Sequence, residues 1–282
     1  MIWRLILLFL APLLLFSPST QAQDSAYVHT RRLWTGIAVA GVTNTAVLVG
    51  LNQLWYRQYP RSAFHWDNDW PNWKQQDKLG HFFTAMTLTR LSGKYLQWSG
   101  LELQKAALIG GVVGFVFQAQ IEILDGFSAG WGASAGDLMA NALGSTWGSL
   151  QLLSPTLNQH VQIKYSYHPS PYYERKLTLL GNLIKDYDGV TYWAFLYPPL
   201  SKWPAWIGIG IGHSAAGLAH PLPTPDAPHY REWFIGLDLD LLRHIRWPYP
   251  WMQTLAQWLS MVRIPAPALQ LTPHVQWYWF YY

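Results

Sequence analysis

Gly136-Asp137-Leu138-Met139-Ala140-Asn141-Ala142-Leu143-Gly144-Ser145-Thr146-Trp147-Gly148-Ser149-Leu150-Gln151-Leu152-Leu153 gives way, across Ser154-Pro155, to Val161-Gln162-Ile163-Lys164-Tyr165-Ser166-Tyr167. The first run has helical spacing, and Ala140, Gly144 and Gly148 repeat at i, i+4 as a ridge of small residues that lets two helix backbones approach closely. The second alternates with period two, the pattern of a half-buried strand. The change of period at Pro155 divides the chain into a helical half and a strand-rich half. The fold class predicted is therefore α+β, with an N-terminal, membrane-seeking bundle of about four helices and a small antiparallel, aromatic-rich β region.

Upstream of this junction, Leu33 to Tyr56 holds no charged residue and is flanked by Arg31, Arg32 and Arg57. About 20 apolar residues cross a bilayer core, so this stretch is long enough to span. Thr43, Asn44, Thr45, Asn52 and Gln53 are wetter than a lipid-facing surface prefers, and a buried bundle helix fits the same residues. Further helices are predicted over 77–97, 102–124 and 136–153, joined by short connections as in a bundle. A loop rich in Trp, Asp and Pro (65–72) precedes them, and a Gly-rich loop (126–132) separates the last two.

Downstream, Trp206-Ile207-Gly208-Ile209-Gly210-Ile211-Gly212 alternates, and so does 233–241. There Trp233, Ile235, Leu237, Leu239 and Leu241 take one face, and Phe234, Gly236, Asp238 and Asp240 the other. The polar face of an ordinary strand accounts for the two aspartates. Residues 251–262 have helical spacing, and a last strand, 269–282, ends in Trp277-Tyr278-Trp279-Phe280-Tyr281-Tyr282. That ending resembles the final strand of outer-membrane barrels, but about five strands fall short of the eight a closed barrel needs. A small sheet packed on the helical half or on a membrane face is expected.

Charged residues make up 12% of the 282, about half the fraction of an average soluble domain, and there are 18 tryptophans. Trp and Tyr favour the membrane–water boundary. The net charge of +4 contains no long basic run, so nucleic-acid binding lacks its electrostatic footprint and a weak attraction to anionic lipid is expected instead. The absence of cysteine excludes disulfides, thiolate metal sites and a cysteine nucleophile. Arg4, the apolar run from Leu5 to Phe16 and the exit Thr20-Gln21-Ala22 have the layout of a secretory signal, with mature numbering from Gln23. An uncleaved anchor helix is the alternative, and either sends the chain to the cell envelope. The organisation expected is a signal peptide over 1–22, a helical bundle over 23–155 and a strand-rich region over 156–282.

Polar residues gather where lipid or core would disfavour them. Asp77-Lys78-x-x-His81 puts Asp77 and His81 on one helix face. Glu122-x-x-Asp125-Gly126 ends the third helix, and Ser134-x-x-Asp137-x-x-x-Asn141 opens the fourth. Buried ionisable groups cost several kcal/mol unless paired, and inside a membrane they point to function. His81, Glu122, Asp125 and Asp137 are candidate ligands for a divalent metal. Asp77, Lys78, His81, Glu122, Asp125, Ser134, Asp137 and Asn141 are the candidate catalytic residues. The structural reading is the favoured one: Ser134 and Asp137 approach a capping box, Asp77 suits a helix N-terminus, and Lys78 neutralises Glu122 or Asp125.

In this order the motifs Asp77-Lys78-x-x-His81, Glu122-x-x-Asp125-Gly126 and Ser134-x-x-Asp137-x-x-x-Asn141-x-x-Gly144 resemble the family called domain of unknown function 2279, described as predicted periplasmic lipoproteins. Lys185-Asp186-Tyr187-Asp188-Gly189-Val190-Thr191-Tyr192-Trp193 is similar to its Asp-Tyr-Asn-Gly-x-Thr-Tyr-Trp stretch, and 237–241 and 264–269 to later segments. The Asp-Lys-x-x-His and Asp-x-x-x-Asn-x-x-Gly parts also resemble the VanZ-like membrane proteins. Neither resemblance implies a catalytic mechanism. A lipoprotein needs a cysteine after its signal and this chain has none, so the membrane tie is expected from helices or surface aromatics.

Three functions follow from these residues. The first is a non-catalytic, membrane-associated envelope protein whose partners are lipid and an envelope glycan or protein. The second is a hydrolase or transferase acting on an envelope lipid or glycan through the cluster. There a metal activates water, or Glu122 with a raised pKa acts as general acid or base while Lys78 binds an anionic group. The third is a sugar-binding sheet with calcium on Asp186 and Asp188, or on Asp238 and Asp240. His213 and His220 are expected at the surface or at strand ends, without a ligand role.

Overall fold

The computed structural model describes residues 28–54, 56–170, 186–218, 220–226 and 228–282, and the chain divides into two compact units. The expected signal segment and Lys185 lie outside the described residues.

The first unit comprises residues 28–70 with Lys78–Pro155. Its helices are α1 (Thr30–Leu54), α2 (Gln76–Trp98, from Lys78 onward), α3 (Leu103–Gly126) and α4 (Ala135–Leu153). Gly100, at φ 96°, turns the chain sharply after α2, a conformation that favours glycine. The ridge read from sequence packs as such a ridge should. A Cβ on Gly144 of α4 would collide with the Phe82 carbonyl of α2, and one on Gly148 would lie 2.8 Å from that of Met86. On α3, Gly114 plays the same part against the Ala85 carbonyl, at 2.7 Å. Small residues from two neighbours therefore clasp α2 at backbone distance.

The polarity of this unit is reversed relative to a soluble bundle. Gln118, Glu122, Asn141, Ser145 and Gln151 are buried. Leu108 and Val112 of α3, Leu143 of α4 and Val42 of α1 are 56–69% exposed. A two-stranded parallel pair, β1 (Trp66–Asp67) with β2 (Ala133–Ser134), ties the Trp-rich loop to the start of α4.

The second unit comprises Pro71–Asp77 and Thr156–Tyr282. After α5 (Pro155–His160) its sheet is an antiparallel meander: β3 (Val161–Tyr167), β4 (Val190–Leu196), β5 (Ile207–Ala216), β6 (Tyr230–Leu239), β7 (Ala266–Gln270) and β8 (Gln276–Tyr281). Two short helices, α6 (Leu241–His244) and α7 (Pro250–Leu259), link β6 to β7. The single long strand expected at the C-terminus is two strands, with Pro273 in the connection between them. The strand β4 is an addition to those read from sequence.

The alternating Ile-Gly run of β5 has a packing reason. Gly208, Gly210 and Gly212 lie directly under the rings of Tyr197, Phe195 and Trp193, where side chains would not fit, and the intervening isoleucines point the other way. Trp193 and Phe195 stack with centroids 5.3 Å apart. The far edge of β3 is not left open: Tyr165 N–H donates to the Met261 carbonyl (2.9 Å) and Arg263 N–H to the Tyr165 carbonyl (2.8 Å). The Arg263 guanidinium lies 4.3 Å from the Trp193 ring centre and donates to the carbonyls of Leu237, Ala266 and Tyr281. Both edge strands, β3 and β8, thus engage the same three-residue segment, Met261–Arg263.

Here the sequence reading of β6 needs correcting. Phe234, Gly236 and Asp238 face inward, and Trp233, Ile235 and Leu237 face out. Asp238 is 0% exposed and Asp240 1%, so neither lies on a solvated strand face.

Candidate functional site

In the first unit, β1–β2 pairing and the ends of α2, α3 and α4 bring the expected polar residues together. Ser134 caps α4 as its spacing implied: its hydroxyl accepts from Asp137 N–H at 3.0 Å. The same hydroxyl donates to Asp69 Oδ1 at 2.5 Å, and Ser134 N–H donates to Glu122 Oε2 at 3.0 Å. Lys78, expected to offset Glu122 or Asp125, pairs with Asp69 (2.8 Å) and Asp137 (3.1 Å). Burial pushes the Asp69 carboxyl up, but hydrogen bonds from Lys78 and Ser134 outweigh it and hold the group below the usual carboxylate range.

His81 Nδ1 lies 3.1 Å from Asn141 Oδ1, and its Nε2 lies 3.6 Å from Glu122 Oε1. One ligand atom each from His81, Glu122 and Asp137 falls within 4.8 Å of the others. An imidazole nitrogen with two carboxylates suits divalent zinc or manganese.

One candidate stands elsewhere. Asp125, expected among the ligands, shares a side-chain hydrogen bond with Tyr56, because three residues along α3 its carboxylate has turned towards the segment that follows α1. Asp77 is buried in the first turn of α2 and ends the Pro71–Asp77 segment of the second unit. Asp69 was missed in the sequence. Its signal was the Trp66-Asp67-Asn68-Asp69-Trp70 loop itself, which offers a carboxylate but no periodicity to say where it points.

In the second unit the proposed calcium pairs have other work. Lys164, itself 1% exposed, places its ammonium 2.6 Å from Asp238 and 3.4 Å from Asp240. Tyr197 hydroxyl also donates to Asp238, and Arg243 to Asp240. A lysine thus fills the place a cation would take between the two carboxylates. Asp186 accepts from the backbone N–H of Ser170 and Gly189, and Asp188 from those of Gly217 and Leu218. Burial raises the Asp188 carboxyl to about 6, against the pull of those two amides. His213 is a further correction. It is buried within β5, between Gln76 (3.3 Å) and Arg231 (3.0 Å), while His220 is exposed as expected.

The class these features define is a two-unit α+β protein whose helical unit holds charges inside and apolar side chains outside. Residues 66–153 match the model of a family described as predicted periplasmic lipoprotein, domain of unknown function 2279. The matched stretch contains all eight candidate residues and Asp69. It starts at β1 and ends with α4, so it takes in the loop, α2, α3 and α4. The description agrees with an exported, cell-envelope location. No curated protein and no solved structure matches the chain.

Proposed function

We propose that the protein is a membrane-embedded component of the cell envelope with a structural or interaction role, its helical unit seated in the bilayer through the outer faces of α1, α3 and α4. The reversed polarity of that unit carries the reading. In water, Leu108, Val112, Leu143 and Val42 would each leave apolar surface hydrated, at about 25 cal/mol per Å². In lipid the same arrangement is favourable, and Lys78 with Asp137 and His81 with Asn141 pair within the bundle.

Length agrees. The 24 residues of α3 span about 36 Å, enough for a hydrocarbon core of about 30 Å. The 25-residue helix α1 is also long and apolar enough to cross. In the second unit, exposed Trp233, Trp277, Trp279 and Phe280 suit the interfacial zone, where aromatic rings concentrate.

Alkaline carbonate extraction of isolated membranes tests this. The protein is expected to stay with the membrane pellet; complete release into the supernatant would overturn bilayer insertion.

A further inference from the structure

The orientation of His81 poses a problem of protons. Asn141 Oδ1 can only accept, so at 3.1 Å the His81 Nδ1 must donate to it. A neutral ring then presents a bare lone pair at Nε2, and this nitrogen faces Glu122 Oε1 across 3.6 Å, beyond hydrogen-bond range. Glu122 is 2% exposed, and its Oε1 has no hydrogen-bond partner. Two potential ligand atoms are thus held towards each other out of water.

A second group is also left over. Asn141 is fully buried and its Nδ2, a donor, has no acceptor. The charges point the same way. Asp69, Glu122 and Asp137 face a single ammonium, Lys78, whose contacts at 2.8 and 3.1 Å are with Asp69 and Asp137. Glu122 is held by one backbone N–H, from Ser134 to Oε2. A bound cation would favour the ionised form of all three carboxylates, since one ammonium offsets only one of their charges.

From this geometry we infer that His81 Nε2, Glu122 Oε1 and a carboxylate oxygen of Asp137 hold one divalent transition-metal ion of the zinc or manganese type. Bonds of about 2.0–2.2 Å to nitrogen and oxygen bridge a 3.6 Å gap without moving either group far. Asn141 is the residue that fixes the tautomer and turns Nε2 inward, the usual outer partner of a metal-bound histidine. Lys78 and Asp69 hold Asp137 from its other side. His81 is the most exposed of the three ligands, at 18% of its side chain, and so marks the way in. The inference stands apart from bilayer insertion, since it rests only on contacts inside the helical unit.

The experiment uses the full mature chain, purified in detergent, loaded separately with Zn²⁺ or Mn²⁺, freed of excess ion, and assayed by elemental analysis and by thermal unfolding with and without chelator. About one ion per chain is expected, with a melting temperature that falls on chelation and returns on adding the same ion. Glu122→Gln should lose the ion and the response to chelator. Asn141→Ala, which removes the partner of His81 Nδ1 but no proposed ligand, should weaken binding about 10- to 100-fold. Asp125→Asn should keep the ion. Should Glu122→Gln fail to fold, His81→Gln at the partly exposed position decides the matter by the same loss. No retained ion in the wild type, or undiminished binding in whichever of these two ligand variants folds, would overturn the inference.

Discussion

Inside the β unit, His213 is a titratable group whose protonation the fold opposes. Burial, and then the neighbouring charge of Arg231, lower its pKa from the ordinary 6.5 to about 4. Arg231 can only donate, so Nε2 accepts from it and the ring must stay neutral for the contact to persist. A depressed histidine contributes stability that is fully present above pH 6.5 and is lost as pH falls through about 4. The expected loss is on the order of 2–3 kcal/mol between those limits. Denaturant unfolding followed at several pH values should show it, and His213→Gln should flatten that part of the profile. An identical acid dependence in the variant would assign the effect to other groups. None of this was legible in the sequence, where His213 stood beside a Gly/Ala-rich turn. Its partners are 137 residues away at Gln76 and 18 away at Arg231. Asp69 was hidden for the same reason: a two-residue parallel pairing carries it 65 positions along the chain to Ser134.

Among the elements, periodicity served well wherever local pattern decides. The helices over 77–97, 102–124 and 136–153 fall within two residues of α2, α3 and α4, and β3 has the bounds its alternation gave. What alternation cannot give is which face turns inward. In β6, Trp233, Ile235 and Leu237 looked like the core side by the rule for proteins in water. Asp238 is inside because Lys164 and Tyr197 meet it there, and those residues come from β3 and the end of β4. The small-residue ridge of α4 is the clearest case in which sequence spacing and packing coincide, and it bears a direct prediction. Gly144→Val should destabilise the helical unit by about 1–3 kcal/mol or more, because the new side chain meets the Phe82 backbone, which cannot move aside cheaply. Gly41→Ala, where the added methyl meets nothing within 4 Å, should be neutral or stabilising. Thermal unfolding of both in detergent compares them. Equal effects would mean that the α2–α4 contact is looser than the ridge implies.

For the molecule as a whole, the two units share one feature: each buries polar and charged groups while exposing large apolar side chains. Gln118, Glu122 and Asn141 do this in the helical unit, and Lys164, Asp238 and Asp240 in the sheet. The composition hinted at it through few charges and many tryptophans, yet composition does not say where the charges sit. The central claim, that the helical unit lives in lipid, has a direct test because the chain has no cysteine of its own. Single cysteines placed at Leu108, Val112 and Val116, exposed positions along α3, would be treated with a water-soluble maleimide in intact membranes and again after detergent solubilisation. The account predicts little labelling in membranes and full labelling in detergent-unfolded protein. Complete labelling of all three in intact membranes would contradict it.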